Sequence, residues 1–217
     1  MLYCSSQAIV LDKEEFSESD LFFIFFSQKT GRIKVLAKGA RKINAKLKPF
    51  LKIGNLVNLE LVFKNQYRLL GVELIDSFSS LRKNFEYLFR VISDLGFAKE
   101  MIIFTEKDES LWKLLFSYLK VANLLAKKES KENLIVSSLF FKIRFINLLG
   151  FLPSFEEFVS LEKIKGGEKK LFLPFWQAKN FSELVKICQK TIKKENLPFL
   201  EKKINSYLKK IKKKIYE

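Results

Sequence analysis

GRIKVLAKGARKINAKLKPF, residues 31–50, opens as a β-strand and runs on as a string of cations. Ile33, Val35 and Ala37 alternate with Arg32, Lys34 and Lys38, the period of two expected of a half-buried strand. Arg41, Lys42, Lys46 and Lys48 follow, and no acid lies among them. A sheet edge with this charge needs either a counter-charge from elsewhere or an anionic ligand.

Working outward, the period of two continues on both sides. Upstream, LFFIFF (21–26) is apolar on both faces and predicts a strand buried on both, and QAIVLD (7–12) predicts a short strand before it. Downstream, LVNLELVF (56–63) places Val57, Leu59, Leu61 and Phe63 on one side. The polar turn KNQ leads to YRLLGVELIDSF (67–78), with Gly71 at a candidate bulge. Five strands in under 80 residues predict a small barrel of the oligonucleotide/oligosaccharide-binding (OB) type, a small sandwich or SH3-like barrel being the alternative.

After Ser79 the period lengthens to that of a helix. Ser79 or Ser80 could cap a helix bearing Phe85, Leu88, Ile92 and Leu95 inward. Asp108 could cap a second, with Leu111, Leu114, Leu115, Tyr118 and Ala122 inward. Residues 131–150 are apolar round most of the circumference and should be central; Gly150 and Pro153 end them. Residues 158–173 read as a hairpin turning at KGGEKK, and helices follow near 181–194 and 197–216. In the last, Leu200, Ile204, Tyr207, Leu208, Ile211 and Ile215 share one face and lysines the other, so that face is simply solvated, or contacts nucleic acid, or lies on a membrane. The expected architecture is α+β: a five-stranded OB-type β-barrel over residues 1–78, then an α-helical domain over 79–217 with a small hairpin insertion.

The 217 residues carry a formal net charge of +16, from 40 Lys and Arg against 24 Asp and Glu. Lysine-rich composition alone would scatter that charge. Instead residues 1–20 hold five acids and one lysine, Leu21 to Leu59 contain no acid, and residues 29–52 hold nine cations. Blocked charge points to a polyanionic partner. If about six of these cations met phosphates, log affinity would fall with log salt at a slope of about −4 to −5. Phe50 and Tyr67 are candidates for stacking bases.

The absence of histidine removes Ser-His-Asp and Cys-His machinery and every His-containing metal site. No phosphate-binding glycine loop is present, and the carboxylates Asp12, Glu14, Glu15, Glu156 and Glu157 read as solvated rather than as Mg²⁺ ligands. Cys4 and Cys188 show neither disulfide nor metal spacing. LFFIFF is too short to cross a bilayer, and the acidic first twenty residues do not read as a signal peptide. A binding protein of the cytoplasm, not an enzyme, is expected.

SESDL (17–21), Gly31, AKGARK (37–42), and then Leu47, Pro49 and Phe50 together resemble the N-terminal domain of the bacterial recombination mediator RecO family. GFAKEM (96–101) and NLLGFLP (147–153) resemble later segments of the same family. The resemblance implies binding and annealing of single- and double-stranded DNA at the nucleoid, a RecR-like ring partner, and capture of the acidic tail of single-stranded-DNA-binding protein. It assigns Lys38, Arg41 and Lys42 as DNA contacts, to which the charge pattern adds Arg32, Lys34, Lys46 and Lys48. For the acidic, apolar-ended tail, Tyr118, Lys142 and Arg144 are the candidates. Many relatives carry a four-cysteine zinc site after the GFLP-like stretch. Here Phe158 and Leu161 stand where its first pair of cysteines is expected, so no zinc or other cofactor is expected, and Phe155, Phe158 and Phe172 are expected to pack in its place. The rival functions are a basic OB-fold RNA-binding protein and a metal-dependent nuclease.

Overall fold

The computed structural model describes residues 2–42, 46–103 and 106–216. Two compact units span Met1–Asn123 and Leu124–Glu217. The strands end at Asp76, close to the expected boundary, but the first two helices and most of the third cluster with them rather than with the helices that follow.

In the first unit β1 (Leu2–Glu15), β2 (Leu21–Ser27), β3 (Gly31–Ala37), β4 (Leu56–Phe63) and β5 (Tyr67–Asp76) form one five-stranded sheet. Its order, β1-β2-β3-β5-β4, closes as β4 pairs back onto β1. The closing contact between β3 and β5 is parallel and short, Val35 with Tyr67 and Leu36 with Arg68. Ala8, Val10, Phe23, Phe25, Ile33, Val35, Val57, Leu59 and Leu61 fill the interior. The outward set Ile9, Leu11, Ile24 and Phe26 is buried as well, which accounts for the unbroken apolar run of β2. Strand β1 is more than twice the expected length, in part because Leu2 to Ser6 carry little apolar signal yet pair with β4 from Phe63 to Leu59. Near Gly71 the β4–β5 register shifts as expected, and a Cβ there would sit 2.7 Å from Glu60 Oε2.

The helical part of this unit holds α1 (Ser79–Lys83), α2 (Phe85–Met101) and the start of α3 (Glu109–Lys127). The expected single helix from Ser79 is broken at Asn84, whose side chain accepts the backbone N–H groups of Glu86 and Tyr87 and starts α2 afresh. The buried stripe of α2 is accordingly Tyr87, Val91, Asp94, Leu95 and Ala98, and Phe85 is 80% exposed. Asp108 caps α3 as its sequence predicts, accepting from the Leu111 N–H at 2.9 Å.

In the second unit α4 (Lys131–Leu148) is buried on nearly every side. The segment expected to be a hairpin is helical: α5 (Phe155–Leu161) and α6 (Lys169–Gln177), joined through a 3-10 turn at Gly166–Glu168. The reason is local. Ser154 and Glu157 form a reciprocal capping box that nucleates α5, and Lys163 and Gly166 at positive φ turn the chain. Then come α7 (Phe181–Thr191) and α8 (Leu197–Tyr216), whose Leu200, Ile204, Tyr207, Leu208 and Ile211 are buried as their spacing requires.

Candidate nucleic-acid interface

The cations of residues 32–48 do not form one uniform track. On β3, Arg32 and Lys34 both point out of the barrel, but Arg32 is drawn away, its Nη1 donating to the carbonyl of Ile102 at 2.7 Å just past α2. Lys34 lies 2.6 Å from Glu14 on β1 and 4.5 Å from the ring centroid of Phe22 on β2. Arg41 donates to the Ser17 carbonyl at 3.0 Å and stands 3.5 Å from Glu15. The acids that precede the cations in sequence therefore face them in space, because β1 pairs antiparallel with β2 and β2 with β3.

Lys38, Lys42, Lys46 and Lys48 remain. All four are exposed, and among the described residues none has an ion-pair partner within 4 Å. Lys38 and Lys42 flank a turn held by Asp20, whose carboxylate accepts the Gly39 N–H at 2.8 Å. That bond, then the Ser19 hydroxyl and the charges of Lys38 and Lys42, holds the Asp20 carboxyl below its usual range. Gly39 takes a φ of 67°, which a residue with a Cβ adopts only under strain.

The far end of the loop is anchored by Arg82. Its Nη2 donates to the Ile53 carbonyl and to Asn55 Oδ1, both at 2.7 Å, and its Nε to the Ser77 carbonyl at 3.2 Å. Burial pushes the Arg82 pKa down from its ordinary value. Asn55, itself buried, donates onward to the Phe50 carbonyl at 2.8 Å. One guanidinium thus ties the loop to the strand–helix junction.

Two groups beside these cations escape sequence reasoning. Lys13 joins Glu14, Glu15, Leu21, Ala40, Arg41 and Lys48 around a groove of about 420 Å³. Phe16 is 56% exposed and meets Phe22 edge-on at 4.7 Å. A lone phenylalanine among acids gives no periodic signal, and only the β1–β2 pairing brings it to Phe22, the ring that Lys34 covers. Of the aromatics chosen from sequence, Phe50 is half-buried, and Tyr67 packs on Phe63 at 4.8 Å and on the barrel interior.

A family model described as Recombination protein O N terminal matches residues 1–78, the whole sheet and its exit. The DNA repair protein RecO of Caldanaerobacter subterraneus is 25% identical over 222 residues, covering 100% of this chain and 83% of that protein. Residues 1–78 match the RecO N-terminal domain, and the chain as a whole is similar to RecO proteins. The RecO proteins of Thermodesulfovibrio yellowstonii and Geobacter metallireducens are 26% and 29% identical, each over 71% of this chain. Those matches span 60% and 62% of the two relatives' own lengths.

For a RecO-type tail site, the three residues chosen from sequence are placed differently from expectation. Tyr118 is fully buried in the first unit, its hydroxyl donating to Asp94, so it lines no open groove. Its inward spacing on α3 makes it core. In the second unit Lys142 is buried, and Arg144 donates to the Ala178 carbonyl with its guanidinium over the Phe140 ring. Among the described residues no group of three or more His, Cys, Asp or Glu could hold a metal ion. No described helix is long and apolar enough to cross a membrane.

Proposed function

We propose that this chain is a non-catalytic DNA-binding mediator of recombination and repair, which binds single-stranded DNA on the barrel and anneals complementary strands. The observation that carries the reading is the set of four exposed cations, Lys38, Lys42, Lys46 and Lys48, on one loop with no acid paired to them among the described residues. Strand order β1-β2-β3-β5-β4 is that of an OB-type barrel, a fold that carries single strands along cations and aromatic faces. Phe16 supplies such a face beside the track. Annealing follows from the same charges, since two polyanions approach only when cations screen both. Lysines that meet phosphates carry no sequence information, so binding should be largely independent of sequence.

Similarity to RecO proteins supports the wider role: loading recombinase with a RecR-like ring, capturing the acidic tail of single-stranded-DNA-binding protein, and working in the bacterial cytoplasm at the nucleoid. No cofactor enters this reading, zinc included. Incubating complementary labelled strands with the protein and Mg²⁺ tests it. The expected result is a paired duplex with both strands intact. Cleavage, or a preference for structured RNA over single-stranded DNA at matched salt, would refute the mediator role.

A further inference from the structure

We infer that Glu14 and Glu15 act as an intramolecular stand-in for phosphate, holding Lys34 and Arg41 out of the DNA track and so limiting its affinity. The inference rests on the DNA-binding reading above and adds a regulating element to that site. Both carboxylates come from the acidic end of β1, and each meets a cation that the sequence places in the track: Glu14 to Lys34 at 2.6 Å, Glu15 to Arg41 at 3.5 Å. All four side chains are well exposed, 51% and 42% for the first pair and 37% and 79% for the second. Exposed pairs of this kind are weak and exchange partners readily. A strand phosphate arriving at the groove lined by Glu14, Glu15, Arg41 and Lys48 competes with the carboxylates for the same donors.

Two other acids of this region, Asp20 and Asp12, are committed to structural partners. Asp20 is held by the Gly39 N–H, and Asp12 lies 2.6 Å from Lys99 on α2. Among the described residues, Glu14 and Glu15 are the acids that form ion pairs within 4 Å with cations of the track.

The effect is legible in salt dependence. While Lys34 and Arg41 stay on their carboxylates they neutralise no phosphate and release no counterion from DNA. Four unpaired lysines give a slope of about −3 on single strands, and releasing Lys34 and Arg41 as well steepens it to about −4.

The test compares single-stranded oligonucleotide binding across salt for the wild type, E14Q/E15Q, and E73Q/E106Q, a control with the same change of net charge at two exposed sites. E14Q/E15Q should bind about 3- to 10-fold tighter at low salt with the steeper slope, and the control should change by less than about 2-fold. Equal affinity and slope for E14Q/E15Q and wild type overturns the inference and leaves the DNA-binding reading standing. An equal gain in the control overturns it too, since bulk charge then suffices. If neither wild type nor variant binds DNA, the reading and the inference fall together.

Discussion

Reversing Lys38, Lys42 and Lys48 to glutamate together lowers affinity for single-stranded DNA by at least about 100-fold, with the melting temperature within about 2 °C of wild type. Each single-strand phosphate contact contributes about 0.7 to the salt slope, or about 5-fold in affinity between 1 M and 0.1 M salt. Three lost contacts multiply to about 100-fold, and the new negative charges add repulsion. The fold is spared because these side chains are exposed and make no ion pair among the described residues. Arg41 is left out deliberately: its bond to the Ser17 carbonyl braces the β1–β2 turn, so changing it confounds binding with structure. A folded triple variant that still binds like wild type would remove these lysines from the interface. Its annealing rate should fall in step with its affinity, because one set of charges serves both.

The largest effect on stability belongs to Phe158. It is fully buried, with ring centroids of Trp176 at 4.6 Å, Phe172 at 5.4 Å and Tyr207 at 5.4 Å, so it joins α5, α6 and α8. Phe155 also packs on Trp176, edge-on at 5.6 Å. Phe158→Ala removes the ring and leaves a cavity among three helices, a loss of about 3–5 kcal/mol. At about 2–4 °C per kcal/mol for a chain of this size, melting should fall by about 10 °C. Phe158 stands where many relatives' zinc site is expected to begin, so the same experiment carries a second arm. A strong chelator should leave the wild-type transition unmoved, whereas a structural zinc would make the fold chelator-sensitive. A chelator-induced loss of melting temperature, or a Phe158→Ala melt like that of wild type, would contradict an aromatic hub in place of a metal.

Sequence reasoning reached most strands through a period of two, plainest in Ile33, Val35 and Ala37, and β2 through its unbroken apolar run. It also reached the buried faces of α3 and α8, where long periodic stripes leave no choice of orientation. It failed where a single local contact overrides period. Asn84 restarts a helix and turns Phe85 outward; the Ser154–Glu157 capping box makes a helix of a segment read as a hairpin. The box is written in the sequence as Ser154-x-x-Glu157, ahead of the glycine pair at 166–167.

The site was legible in composition and not in pairing. Residues 12–20 and 32–42 look like separate blocks of opposite charge along the chain, yet antiparallel register brings Glu14 to Lys34 and Glu15 to Arg41. Arg32 faces outward as its alternation predicts, but a carbonyl 70 residues away claims it. No period encodes either contact. The lysines of the loop survive as candidates because exposed side chains outside the strands are the ones a strand ladder does not recruit.

The central claim is that fixed, unpaired positive charge on the β3–β4 loop holds a sugar-phosphate chain. The most direct measurement is the equilibrium affinity of the intact protein for a single-stranded oligonucleotide across salt concentrations. A linear log–log plot with a slope of about −3, indifferent to base sequence, is the predicted result. A slope shallower than about −1 would mean that fewer than two phosphates are neutralised, and that would contradict it.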